Sequence, residues 1–169
     1  MGITKQQTAP VGWHWIAAVS SAAVLVSQFL LERGENPYFR AAGIACLLLS
    51  PIFILPPFLL LMRYGEPPRG QPYYCTTKIV DRGVYSIVRH PQYVGYVLLT
   101  LGFAALSQHA LTSILAVCSA GAFYVQSVKE EAFCRRQSSQ EYLEYMRRVP
   151  RFNFLVGLFR YLFTRMRRD

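Results

Sequence analysis

The chain has 169 residues, 53% of them hydrophobic, with a mean hydropathy of +0.22 and a formal net charge of +9. The length suits one domain, here the whole of residues 1–169, and so apolar a composition places it in the membrane class before any motif is read. With no basic–aromatic nucleic-acid motif present, the positive charge reads as membrane topology and attraction to anionic lipid headgroups, not nucleic-acid binding.

Taken in order, residues 11–31 contain no Asp, Glu, Lys or Arg, and their one titratable group is His14. At about 1.5 Å per residue this stretch crosses a hydrocarbon core of roughly 30 Å. It lacks the short apolar core and small-residue cleavage site of a signal peptide, so it is expected to be a retained helix. Residues 41–62 form a second span, which Pro51, Pro56 and Pro57 are expected to kink. Between Arg63 and Tyr74 the residues Gly65, Pro67, Pro68, Gly70 and Pro72 predict a connector. Lys78-Ile79-Val80 and Val84-Tyr85-Ser86 then flank Asp81-Arg82-Gly83, a pattern that predicts a short extended excursion around a glycine turn.

The next apolar stretch is too long for one crossing. Ser107-Gln108-His109 divides it into spans of about 93–107 and 109–127, a tight helical hairpin, with Pro91 in the first turn of the earlier arm. The fourth helix is expected to run on through Glu130, Glu131 and Arg135, because nothing there breaks it. Ser138-Ser139 offers an N-cap for a shorter helix carrying Tyr142 and Tyr145, and residues 152–163 read as an interfacial amphipathic segment within a cytoplasmic or interfacial tail, 128–169. The fold class is therefore all-α, a polytopic membrane protein of about four transmembrane helices.

Orientation follows from the basic residues. With both termini cytoplasmic, all of the 18 Lys and Arg residues except Arg33 and Arg40 fall on the cytoplasmic side, as the positive-inside rule requires. Cys46, Cys75, Cys118 and Cys134 are scattered without paired spacing, so neither a zinc site nor a disulfide framework is expected, and no metal is assigned.

The candidate chemistry begins at Arg89, His90, Pro91, Tyr93, Gly95 and Tyr96, set at or just before the start of a helix whose free N–H groups and positive dipole face the cytoplasm. Such an end receives a carboxylate or another polar ligand group, and Gly95 permits close approach by a ligand or a neighbouring helix. Taken singly, the Arg and the tyrosines are also ordinary interfacial anchors. Glu130 and Glu131, adjacent on one helix, point about 100° apart and are not a shared acid–base pair. Glu131 has an ordinary partner in Arg135 at i, i+4.

The run RHPxYxG from Arg89 to Gly95, the Glu130-Glu131 pair and the segment from Glu141 to Pro150, EYLEYMRRVP, together resemble the membrane-embedded isoprenylcysteine carboxyl methyltransferases and their phospholipid-methyltransferase relatives. The resemblance spans roughly residues 79–154. It implies S-adenosylmethionine as methyl donor, held in a cytoplasmic pocket by Arg89, His90, Pro91, Tyr93, Gly95, Tyr96, Glu130 and Glu131. It further implies that Arg148, the Arg before Val-Pro, binds the carboxylate to be methylated, with Tyr142 and Tyr145 lining the substrate site. A guanidinium suits that task because its planar fork stays charged when partly desolvated. On charge alone, Arg147, Arg148 and Arg151 are also headgroup-binding residues.

A lipophilic acceptor entering from the bilayer follows from the same resemblance. Phospholipid or other lipophilic amine or thiol methylation is the alternative enzyme reading. A sterol-reductase-like Arg-His, Tyr, Gly run with NADPH fits Pro91 and the Glu pair less well. A lipid-binding membrane scaffold is the non-enzymatic reading, and a saturable S-adenosylmethionine site separates it from the others.

Overall fold

A computed structural model of the chain describes residues 12–66, 76, 78–137 and 140–166. Most of the connector, Cys75, the proposed Ser138-Ser139 cap and the last three residues lie outside them.

Six α-helices and one 3-10 turn make up the described residues, with no strand among them: α1 Gly12–Leu30, α2 Pro37–Tyr64, the turn Gly83–Ser86, α3 Pro91–Ser107, α4 Ala110–Gln137, α5 Gln140–Arg148 and α6 Phe154–Met166. Gly12–Leu30, Pro37–Tyr64 and Ala110–Arg136 are long and apolar enough to cross a membrane. α3, at 17 residues, is about 25 Å long at the usual helical rise.

α2 starts four residues before the expected span, because Asn36 caps it: its side chain accepts from the N–H groups of Tyr38 and Phe39, and Pro37 occupies the first turn. The helix then continues through Pro51, Pro56 and Pro57. α2 packs on α3, α3 on α4 and α4 on α1, with α1 also touching α3.

Glycines allow the closest of these approaches. A Cβ on Gly43 would stand 2.8 Å from the Gly102 carbonyl oxygen, and one on Gly95 would stand 2.5 Å from Ile54 Cγ1. Lipid offers no hydrophobic drive for helix association, so close backbone packing of this kind carries it instead. On α2, Leu48, Ile52, Leu55 and Leu59 repeat at helical spacing and are all exposed, as a lipid-facing stripe requires.

The expected hairpin is present. α3 ends at Ser107, Gln108 takes a left-handed conformation with φ 54°, and α4 begins at Ala110. Gln108 also clamps the α1–α2 loop. Its Oε1 accepts from Asn36 N at 3.0 Å and its Nε2 donates to the Asn36 carbonyl at 2.9 Å.

The excursion expected as extended chain around Gly83 is instead the 3-10 turn Gly83–Ser86. Gly83 takes φ +57°, and the Ser86 hydroxyl donates to the Gly83 carbonyl. These bonds close locally, so the segment needs no strand partner. Tyr145 Oη donates to the Tyr85 carbonyl at 2.8 Å and holds the turn against α5.

Candidate functional site

At one end of the bundle the chain from Arg89 to Tyr93 meets the last third of α4 and the segment after α5. Two backbone bonds tie these distant stretches together: Arg89 N donates to the Pro150 carbonyl at 3.0 Å and His90 N to the Arg151 carbonyl at 3.3 Å. Pro91 occupies the first turn of α3 and is fully buried, with His90 as the N-cap residue. Gly157 lets α6 approach from the other side, since a Cβ there would collide with the Ile87 carbonyl oxygen.

Glu131 is the centre of this end and is 0% exposed. Arg151 donates to both its oxygens, Nε to Oε1 at 3.0 Å and Nη2 to Oε2 at 2.7 Å. Arg89 Nη2 lies 3.1 Å from Oε1, and His90 Nε2 lies 3.2 Å from the same oxygen. A fully buried carboxylate demands this much, because removing it from water is costly unless cations and donors replace the lost hydration. The Arg135 partner expected at i, i+4 is therefore replaced by Arg89, His90 and Arg151. The Glu131 bonds in turn hold the Arg151 guanidinium more firmly in its charged form.

Glu130 is the more open member, its side chain 26% exposed. It accepts from the Tyr93 hydroxyl and from Gln126 Nε2, and His90 Nδ1 lies 3.7 Å from it. The two carboxylates diverge along the helix as expected, and His90 stands between them with one ring nitrogen toward each. The His90 and Tyr93 rings stack in parallel at 5.5 Å. Tyr93 and Tyr96 both stack on Phe123, and His90 and Tyr124 both stack on Phe152.

Arg89, His90, Tyr93, Glu130 and Glu131 thus converge, and Tyr96 continues the aromatic stack one turn further along α3. Gly95 faces away from them, its hydrogen side against Ser50, Phe53 and Ile54 of α2. Tyr142 and Tyr145 belong to α5 and tilt together at 6.2 Å; burial pushes both hydroxyls up, so they stay protonated. Arg148 does not join the cluster. Its side chain is 64% exposed and its Nη2 lies 3.6 Å from Asp81 Oδ2.

Arg151, Phe152, Tyr124 and His14 are the participants that sequence reasoning did not single out for the site. Arg151 had a signal, since a carboxylate pair running into the base of a helix bundle needs cations from elsewhere in the chain. His14 reaches the cluster through Tyr93: its Nδ1 lies 3.4 Å from the Tyr93 hydroxyl, and the rings meet edge to face. Among the described residues no group of three His, Cys, Asp or Glu side chains could hold a metal ion.

The family model for isoprenylcysteine carboxyl methyltransferases matches residues 74–134, the stretch that carries Arg89, His90, Tyr93 and both carboxylates. This segment is similar to the isoprenylcysteine carboxyl methyltransferase family. Among curated proteins, the chain is similar to protein-S-isoprenylcysteine O-methyltransferase B of Arabidopsis thaliana, 30% identical over 43% of this chain and 38% of the relative. It is also similar to the protein-S-isoprenylcysteine O-methyltransferase of Xenopus laevis, 33% identical over 43% of this chain and 25% of the relative. A third similarity is to the cobalt-zinc-cadmium resistance protein CzcN of Cupriavidus metallidurans, 35% identical over 48% of this chain and 38% of the relative. The alignments thus span less than two fifths of each relative's length. No solved structure matches the chain.

Proposed function

We propose that this chain is an integral membrane methyltransferase that uses S-adenosylmethionine to methylate a lipophilic acceptor, with four spans, both termini cytoplasmic and the Glu131 end of the bundle facing the cytoplasm. The convergence of Arg89, His90 and Tyr93 on Glu130 and Glu131, inside the segment shared with the methyltransferase family, carries this reading.

The residues present suit such a cofactor. Its ribose hydroxyls and ammonium call for carboxylate acceptors, its sulfonium for aromatic faces, and its carboxylate for a cationic donor. Glu130 is partly open and accepts from the Tyr93 hydroxyl, the Phe152 ring stacks on His90 and the Tyr124 ring on Phe152, and Arg89 Nε is buried with no partner among the described residues. When bound, the cofactor supplies a methyl group already activated on sulfur.

The protein's part is then alignment and exclusion of water. Glu131 fixes Arg89, His90 and Arg151 as one rigid unit, Tyr93 and Gln126 set the direction of the Glu130 carboxylate, and Pro91 and Gly95 hold the start of α3 in place. Tyr142 and Tyr145 wall the site from the α5 side, and membrane lipids bring the acceptor laterally.

Two acceptor classes follow from two observations. The relatives named as isoprenylcysteine O-methyltransferases support a carboxylate acceptor, for which Arg148 would be the clamp. The exposed position of Arg148 beside Asp81 favours an amine, thiol or hydroxyl acceptor, for which no clamp is needed. The test is saturable S-adenosylmethionine binding to the protein in nanodiscs, followed by transfer of labelled methyl to a farnesyl-cysteine analogue and to phosphatidylethanolamine. A protein that binds no cofactor is a scaffold, and the proposal fails.

A further inference from the structure

An apolar cavity of about 280 Å³ lies between α1, α3 and α4, lined by His14, Ala18, Ser21, Tyr96, Thr100 and Phe123, with Leu99 beside them. His14 and Tyr96 sit at the end nearest the carboxylate cluster. From His14 to Ser21 the cavity follows α1 for about 10 Å toward the middle of the bundle. His14 lies outside the segment 74–134 matched by the family model.

The hydrogen-bond directions around His14 are constrained. The Tyr93 hydroxyl donates to Glu130, so its oxygen shares a bond with His14 Nδ1 only if that nitrogen carries the proton. In the neutral ring Nε2 then holds the lone pair, and it has no partner among the described residues. An ionisable side chain at the edge of a span, committed on one side to a functional cluster and open on the other to an apolar cavity, is poised to bind a polar group at the end of an apolar molecule.

We propose that His14 reads the head group of the methyl acceptor: Nε2 accepts a hydrogen bond from an X–H head, a hydroxyl, thiol or amine, while the tail lies along Ala18, Ser21 and Leu99. This rests on the methyltransferase reading and names its substrate class. A carboxylate is disfavoured at this position because it carries only lone pairs, which would face the Nε2 lone pair with Glu130 at the far end of the same relay. Methylating a hydroxyl or thiol head removes its donor, so the product loses the bond that held the acceptor.

Trp13 and Trp15, the only tryptophans of the chain, flank His14, so intrinsic fluorescence reports occupancy of the cavity. The probes are 1-octanol, its methyl ether and octanoate, titrated into the full chain in nanodiscs. Wild-type protein should bind the alcohol about tenfold more tightly than the ether, the value of one net hydrogen bond, and more tightly than octanoate. His14→Phe should bring the alcohol-to-ether ratio to about one while both still bind, and His14→Gln, which keeps an acceptor oxygen, should restore part of the preference.

Equal affinity for alcohol and ether in the wild type overturns the proposal without any variant, as does a ratio that survives His14→Phe, or octanoate binding as tightly as octanol. Wild-type protein that prefers the alcohol but binds no S-adenosylmethionine supports the head-group site and removes the methyltransferase reading on which its role as an acceptor site depends.

Discussion

Arg151 grips both oxygens of Glu131, at 3.0 and 2.7 Å, from a position twenty residues further along the chain and beyond an intervening helix. The bond closes the C-terminal segment over the start of α3, because the backbone of Pro150 and Arg151 is already joined to Arg89 and His90. Stability and the proposed cofactor pocket therefore share one carboxylate.

Glu131→Gln leaves Arg89 and Arg151 without the charge that compensates their burial. Unfolding should be easier by about 3 kcal/mol, within the range for breaking a buried pair, and cofactor binding should weaken with it. Glu144→Gln, on the exposed face of α5, should change neither. Thermal unfolding in detergent with and without S-adenosylmethionine measures both effects, and equal curves for the two variants would remove Glu131 from its central place.

Glu130→Gln separates binding from folding. Glu130 is partly open, and a glutamine still accepts from the Tyr93 hydroxyl, so the melting temperature should hold while affinity for S-adenosylmethionine drops about tenfold, the loss of one charge-assisted bond. Calorimetric titration reads the outcome. Unchanged affinity would place the cofactor elsewhere.

Arg148→Lys tests the acceptor. An exposed ion pair such as Arg148–Asp81 contributes under about 0.5 kcal/mol, so neither stability nor methyl transfer to an amine or thiol should change. If transfer to a farnesyl-cysteine analogue falls at least tenfold while cofactor binding is intact, Arg148 is the carboxylate clamp after all, and the base-labile ester product will show it.

Gly95→Ala and Gly157→Ala act on packing alone. The new methyl groups meet Ile54 of α2 and the Ile87 carbonyl respectively. Each should cost about 2 kcal/mol of stability, as overpacking does, with Gly157→Ala the worse because it meets backbone. Cofactor affinity measured well below the melting temperature should be spared by Gly95→Ala; a specific loss there would bring Gly95 into the pocket.

The orientation is checked by labelling in intact cells. Glu35→Cys, chosen because Asn36 caps α2, should react with an impermeant maleimide from outside, and native Cys75 should react only after permeabilisation. The reverse pattern would turn the Glu131 end away from the cytoplasm.

Local physics carried far into the fold. Uncharged apolar length marked α1 and α2, Ser107-Gln108-His109 marked the turn between α3 and α4, Pro91 marked the start of α3, and the absence of a breaker carried α4 through Glu131. Each of these depends on a few neighbouring residues and on the thickness of a bilayer, so a one-dimensional pattern is enough. Membership of Arg89, His90, Tyr93, Glu130 and Glu131 in one cluster was likewise legible from the family resemblance.

Partnership was decided only in three dimensions. Glu131 had an adequate local partner in Arg135, yet its complete burial selects Arg89, His90 and Arg151, because only charged and polar donors brought in from the start of α3 and from the segment after α5 replace the water it loses. Gly95 could have faced a ligand or a helix, and the packing of α2 on α3 turned it to the helix. Arg148 stands beside Val149 and Pro150, within three residues of Arg151, but the bend after α5 leaves Arg148 in solvent and carries Arg151 to Glu131. Sequence spacing specifies which side chains are near one another along the chain; burial, which depends on every helix at once, decides which of them must meet.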